Sequence, residues 1–166
     1  MLTLFKRISA PSRVDGELLL SFEQRQKSRL KATLVTGEEV VIVLERGSVL
    51  RSGDCLQGDD GRVVRVIAAE EELMEARALD ATVLARAAYH LGNRHAAVQV
   101  GDGWLRFAAD HVLGELVRGM GISVVAVHAA FEPEAGAYAA GHHHQSSEAR
   151  HAGIIHDFAV QSRKPS

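Results

Sequence analysis

The sequence predicts an α+β protein in three parts: a small all-β domain at residues 1–69, a mixed domain at residues 70–138 and a histidine-containing tail at residues 139–166. Three observations support this division. Short apolar segments separated by glycine turns fill the first part, which is typical of strands. Two amphipathic helices alternate with β segments in the second part. After Tyr138 the hydrophobic periodicity ends, as expected for a flexible tail.

Length and composition limit what kind of protein this chain can be. Its 166 residues, 46% of them hydrophobic, are enough to bury a core. The formal net charge of −2 gives no reason to expect a nucleic acid partner, and no apolar run approaches the roughly 20 residues of a membrane span. A single cysteine, Cys55, excludes an internal disulfide and suits a reducing compartment. We therefore expect a cytoplasmic protein, with Cys55 buried or half-buried.

The first 69 residues are typical of an all-β module, because Asp-Gly and Gly-Asp turns divide them into short apolar segments. We predict strands at 17–22, 30–35, 40–44 and 63–68. Alternating cations near the second of these strands could be read as a nucleic-acid surface. No aromatic side chains are interleaved with them, so we interpret the cations as a solvated strand face. They are Arg25, Lys27, Arg29 and Lys31.

The second part is organised around two helices with the same apolar spacing of i, i+3, i+4 and i+7. The apolar positions are Leu84, Ala87, Ala88 and Leu91 in the first helix, and Leu113, Leu116, Val117 and Met120 in the second. Asp80 and Asp110 are the expected N-caps. Gly92-Asn93 is expected to supply the left-handed residue that ends the first helix. Gly114 inside the second helix costs about 1 kcal/mol relative to alanine, and the sequence does not explain it.

Strands predicted at 73–78, 96–100, 104–107 and 122–127 give the order β-α-β-β-α-β over residues 70–131. This is the split βαβ, or ferredoxin-like, order, with both helices on one face of the sheet. The composition of residues 70–78 favours a helix. We nevertheless predict a strand there, because the second half of the repeat needs a partner.

Histidine is the chemically distinctive residue, with nine copies in the chain. Neutral imidazole binds late first-row divalent ions such as Ni(II), Cu(II) and Zn(II). Five histidines lie in the tail, which is a compositional signal for metal binding. The alternative is a purification-tag remnant, although three adjacent histidines are short for a tag. The five are His142, His143, His144, His151 and His156.

Four more histidines lie in the predicted mixed domain. His95 leaves a turn just before a strand, and His111 follows the cap Asp110, so both are candidate ligands. Since one imidazole per chain cannot hold an ion tightly, a site at His95 requires a symmetric partner or a tail histidine. His90, in the last helical turn, suits the carboxyl end of the helix dipole, and His128 lies in an apolar strand. We predict no ligand role for either.

Three motifs in order resemble the urease accessory protein UreE family. They are Tyr89-His90-Leu91-Gly92-Asn93-Arg94-His95, Asp110-His111-Val112-Leu113 and Phe131-Glu132-Pro133-Glu134-Ala135-Gly136-Ala137-Tyr138. The resemblance implies a nickel metallochaperone of urease maturation, with Ni(II) as cargo and no enzymatic activity. It also implies a peptide-binding-like first domain, and a homodimer in which two copies of His95 share one ion that a tail histidine completes. The implied partners are the urease accessory GTPase, UreG, and the urease activation complex.

One departure from the family concerns the second motif. Some relatives carry a histidine two positions before His111, where this chain has Ala109, so the peripheral site of that pair is in doubt. Because Cu(II) lies above Ni(II) in the Irving–Williams order, binding of Cu(II) and Zn(II) in vitro is also expected.

Two other classes of protein remain as alternatives. One is a metal-dependent hydrolase in which His95, His111 and Asp110 hold a catalytic ion, but the sequence has no HExxH motif and no phosphate loop. The other is a protein-interaction adaptor whose tail histidines are incidental.

Overall fold

The computed structural model describes residues 1–135, which form ten strands and three helices. The predicted tail, with its five candidate ligands, lies outside the described residues. None of the three helices is long and apolar enough to cross a membrane. The elements are β1 (Leu2–Ile8), β2 (Gly16–Leu20), α1 (Phe22–Arg25), β3 (Arg29–Thr33), β4 (Glu39–Val43), β5 (Cys55–Gly58), β6 (Val63–Ala68), β7 (Glu70–Arg77), α2 (Ala81–Gly92), β8 (Val98–Gly101), β9 (Trp104–Ala108), α3 (His111–Arg118) and β10 (Ser123–Ala130).

The first sheet contains β1 to β6 in the order β2-β6-β5-β1-β4-β3. The pairs β1/β4 and β2/β6 are parallel, and the remaining pairs are antiparallel. Alternate residues of each strand face a single apolar core, which includes Leu4, Leu18, Ile42, Leu56 and Val66. Cys55 is buried, as predicted.

The second sheet has the order β10-β7-β9-β8, and all its neighbouring strands are antiparallel. The chain therefore follows the predicted order β-α-β-β-α-β. Helices α2 and α3 pack on one face through Leu91 and Val117, against Ala76 and Phe107. Strand β7 forms despite its helix-favouring composition, because it pairs with β10 over eight residues and with β9 over five. Tertiary pairing outweighs local propensity here.

Close packing explains the glycine inside α3. A Cβ atom at Gly114 would lie 2.6 Å from the Met74 sulfur and 3.2 Å from its methyl carbon. Glycine therefore lets α3 approach β7 more closely than alanine would. Its low helix propensity is offset by this contact.

The prediction for the cations near β3 is wrong for one residue. The predicted strand at 17–22 ends at Leu20, and Ser21 starts the short helix α1 through a capping box with Gln24. Arg25 ends this helix with 0% of its surface exposed, so it does not belong to a solvated strand face. Arg29 and Lys31 are exposed on β3, as predicted.

Candidate metal centre

The candidate ligand His95 lies between α2 and β8. Asp80 caps α2 by accepting a hydrogen bond from the Thr82 amide at 2.7 Å, and the helix continues to Gly92. The prediction that Gly92-Asn93 supplies the left-handed residue is wrong. Gly92 is the last helical residue, and Asn93 has a right-handed φ of −63°.

The left-handed residue at this junction is His95 itself, with φ of +56°. Its N–H donates to the Gly92 carbonyl oxygen at 2.9 Å, and the next amide, of Ala96, donates to Leu91 at 3.1 Å. A left-handed conformation costs a residue with a Cβ atom roughly 1–2 kcal/mol. The imidazole is exposed. The fold thus holds a strained, outward-facing histidine, and such strain is concentrated at functional sites.

His111, the second candidate, is the first residue of α3 and is also exposed. Asp110 caps this helix, with one carboxylate oxygen accepting from the amides of Val112 at 2.8 Å and Leu113 at 3.0 Å. Because Val98 pairs with Phe107 across the β8–β9 hairpin, the start of β8 and the end of β9 lie at the same end of the sheet. His95 and His111 are therefore placed at that common end.

The remaining two histidines have protein partners that suit structural roles. The His90 ring lies edge-on to the Tyr89 ring, with centroids 5.4 Å apart, in the last turn of α2. His128 Nδ1 lies 3.1 Å from a carboxylate oxygen of Glu70, across the β10–β7 pair.

Within residues 1–135, no three histidine, cysteine, aspartate or glutamate side chains come together in a group that could hold a metal ion. The described structure therefore does not assemble the ligand set that the hydrolase alternative needs, namely His95, His111 and Asp110. The two candidate imidazoles in this part of the chain, His95 and His111, are both exposed.

The sheet face opposite the helices carries a buried carboxylate. Ala76 packs towards the helices, so its neighbour Glu75 points to the other face, where it is 3% exposed. It accepts from Arg106 Nε at 2.7 Å and from Arg77 Nε at 2.6 Å. Burial raises the pKa of Glu75, but the two guanidinium groups outweigh burial and leave the pKa below its ordinary value. The Arg106 guanidinium also lies over the Trp104 ring, 4.3 Å from its centroid.

A second polar network was missed in the sequence. Glu132, after β10, accepts from Arg25 Nη1 at 2.5 Å and from the Ser52 amide at 3.0 Å. Glu134 then donates its amide to the Val98 carbonyl at 2.8 Å, three residues beyond His95 in the sequence. The only sequence signal was an arginine in a short capped segment, which cannot indicate a partner 107 positions away.

Within residues 1–135, fold and site together define a two-sheet α+β protein whose candidate ligands, His95 and His111, are exposed imidazoles outside any group of three potential metal ligands. The family model described as the UreE urease accessory protein N-terminal domain matches residues 5–69, and that of the C-terminal domain matches residues 71–159. The chain belongs to the UreE urease accessory protein family.

Individual relatives agree with this assignment. The urease accessory protein UreE of Nitrosospira multiformis is 49% identical over 154 residues, covering 92% of this chain and 88% of that protein. The protein of the same name from Azotobacter vinelandii is 48% identical over 165 residues, covering 97% and 99%. The one from Alkalilimnicola ehrlichii is 53% identical over 138 residues, covering 83% and 85%.

Proposed function

We propose that this protein is a nickel metallochaperone. It forms a homodimer in which two copies of His95 share one Ni(II) ion, and it delivers that ion to apo-urease during assembly of the urease active site. The observation that carries the proposal is the exposed, left-handed His95, which belongs to no group of three potential metal ligands within residues 1–135, in a chain of the UreE family. The protein performs no covalent chemistry.

Coordination chemistry supports a shared site. A single imidazole binds nickel weakly, whereas a two-fold axis duplicates every ligand without requiring a second histidine in the sequence. The tail histidines can complete the shell; they are His142, His143, His144, His151 and His156. An incomplete and partly mobile set of ligands suits a donor, because a closed rigid site would release its ion slowly. Zn(II) and Cu(II) also bind such ligands in vitro.

The domain assignment forms part of the proposal. We assign residues 1–69 to a peptide-binding-like β domain, residues 70–138 to a ferredoxin-like domain that binds metal and dimerises, and residues 139–166 to a flexible tail. The change from one sheet to the other between β6 and β7 supports the first boundary. The antiparallel order β10-β7-β9-β8, with both helices packed on one face, supports the ferredoxin-like assignment. Tyr89, 66% exposed on α2 six residues before His95, is a suitable apolar residue for a dimer interface.

His111 is a weaker, peripheral ligand in this proposal. It is exposed at the start of α3, but position 109 carries alanine, and Asp110 already accepts two amide hydrogen bonds. Any ion held there therefore lacks a second imidazole from the same motif.

The names of the relatives, which are urease accessory proteins, support partners in the urease machinery. We propose that the protein acts in the cytoplasm with the accessory GTPase UreG and the urease activation complex. It binds neither nucleic acid nor membranes in this role. The first sheet ends in strands β2 and β3, and an edge strand can pair with an extended segment of another protein.

Nickel stoichiometry together with mass in solution tests the proposal. Equilibrium dialysis of the wild type should give one tight Ni(II) ion per dimer and further weak ions. His95→Ala should remove the tight ion and keep the dimer, whereas the control His128→Ala should bind like the wild type. Truncation after Gly141 should remove the weak ions and leave His95-dependent binding measurable. Tight binding that persists in His95→Ala would disprove the assignment, and loss of all binding on truncation would make the tail the carrier.

A further inference from the structure

Residues 131–134, called the strap here, run across the second sheet. The strap starts after β10 at one edge, and its last residue, Glu134, hydrogen-bonds Val98 of β8 at the other edge. The Glu132 amide donates to the Gln99 side chain at 3.0 Å. Gln99 alternates with Val98, which packs towards the helices, so the strap lies on the face away from the helices.

Side chains of α1 and of the loop before β5 hold the strap from the other side. Arg25 Nη1 donates to Glu132 at 2.5 Å, and its Nη2 donates to the Phe131 carbonyl oxygen. Arg51 Nη1 donates to the Pro133 carbonyl oxygen at 2.5 Å. The Phe131 ring is 2% exposed and lies edge-on to Phe22, with centroids 5.5 Å apart. Consecutive strap residues are therefore fixed by α1 and the loop before β5.

Burial makes this attachment hard to break. Arg25 is 0% exposed, and its Nε also donates to the Leu20 carbonyl oxygen at 3.2 Å. Burial lowers the pKa of Arg25, while the Glu132 carboxylate opposes that shift. Since arginine stays protonated in proteins, removing Glu132 would take away the carboxylate that pairs with this buried charge and leave only Glu71, which is not hydrogen-bonded to Arg25, to oppose it. Such a loss is costly, so the strap is held strongly in one position.

The strap in turn supports the strand next to His95. Strand β8 has four residues and is an edge strand, paired only with β9 in the described sheet. The strap adds two hydrogen bonds to its beginning, at Val98 and Gln99. Without them the start of β8 can fray, and the strained backbone of His95 can relax to right-handed conformations.

We propose that Arg25 and Glu132 are positioning residues for the nickel site, acting through the strap and β8 on the geometry of His95. This inference rests on the proposed function of His95. It gives α1 and the loop before β5 an indirect part in metal binding, besides any role in contacting other proteins. Neither residue touches the ion; both narrow the range of positions that the two imidazoles sample.

The variant Glu132→Gln tests the proposal, with Glu38→Gln as a matched control. Glu38 also pairs with a guanidinium, that of Arg62 at 2.7 Å, but lies away from the strap. Nickel affinity is measured by titration of the full-length protein, together with solution mass and amide exchange at Glu134. Glu132→Gln should keep one tight ion per dimer, weaken its affinity about tenfold or more, as for residues that hold a metal ligand in place, and speed exchange at Glu134. Glu38→Gln should match the wild type in all three.

A second variant, Gln99→Met, covers the case in which Glu132→Gln does not fold. It removes a strap contact without leaving a buried charge, and it should change affinity and exchange in the same direction by a smaller factor. Faster exchange at Glu134 with unchanged nickel affinity would overturn the inference and leave the proposed function intact. Unchanged amide exchange at Glu134 in both variants would overturn it as well. A wild type without a tight His95-dependent ion would overturn both.

Discussion

The His95 amide donates to the Gly92 carbonyl oxygen at 2.9 Å, and this bond closes a turn in which the histidine, not the glycine, is left-handed. Glycine or asparagine ordinarily occupies such a position, because a Cβ atom disfavours it. The chain instead places a candidate metal ligand there, which directs the imidazole outward just before β8.

A trade-off between stability and nickel binding is expected at His95. Replacing it with glycine should raise the free energy of unfolding by about 1 kcal/mol, because glycine adopts the left-handed conformation without the Cβ penalty. The same variant should lose the tight nickel ion. Urea unfolding of the metal-free protein measures the first effect, with His95→Ala as control, since alanine keeps the Cβ atom and should not gain stability. A glycine variant no more stable than the alanine variant would show that the turn carries no strain.

Gly114 and Gly92 should respond oppositely to alanine. Gly92→Ala places a Cβ atom where nothing lies within 4 Å, so it should gain up to about 1 kcal/mol from helix propensity. Gly114→Ala brings a Cβ atom to 2.6 Å from the Met74 sulfur. The overpacking should lower the free energy of unfolding by about 1–3 kcal/mol, which outweighs or cancels the gain in helix propensity. Thermal unfolding of both variants without metal measures the difference. Equal stabilisation in both would mean that α3 can move away from β7 without loss.

Glu75 should make stability depend on pH in the acid range. The pKa of Glu75 in the folded protein lies below the ordinary value. The ionised carboxylate therefore contributes its full stabilisation of the fold above the unfolded pKa of about 4.3. The stabilisation is lost as the pH falls through the folded pKa. Glu75→Gln should cost about 1–3 kcal/mol at pH 7, because the buried carboxylate loses the charge that strengthens its hydrogen bonds to two guanidinium groups, and less at pH 3. Urea midpoints at both pH values measure this.

The exposed residue Glu115 supplies the control for Glu75. It lies 3.7 Å from Arg118 with its side chain 77% exposed, so Glu115→Gln should stay within about 1 kcal/mol of the wild type. A destabilisation by Glu75→Gln that is the same at pH 3 and pH 7 would show that the carboxylate charge is not responsible.

Local patterns account for the parts of the fold that were predicted correctly. Apolar spacing and the caps Asp80 and Asp110 indicated α2 and α3, because a helix buries one stripe and needs partners for its first amides. Strand β7 was predicted because the β-α-β-β-α-β order requires a partner strand, although its composition favours a helix. The helix α1 was missed because four residues contain no measurable period, although the Ser21 and Gln24 capping box was present in the sequence.

The sequence by itself determined the order of elements in the second half, the two helix starts and the choice of His95 and His111 as candidate ligands. All of these except strand β7 depend on residues close together along the chain. Only the tertiary structure decided that His95 is left-handed, that Gly114 lies against Met74 and that Arg25 is buried on Glu132. For Gly114 and Arg25 the physical reason is distance along the chain. Arg25 and Glu132 are 107 positions apart, and only the packing of two sheets brings them within one hydrogen bond.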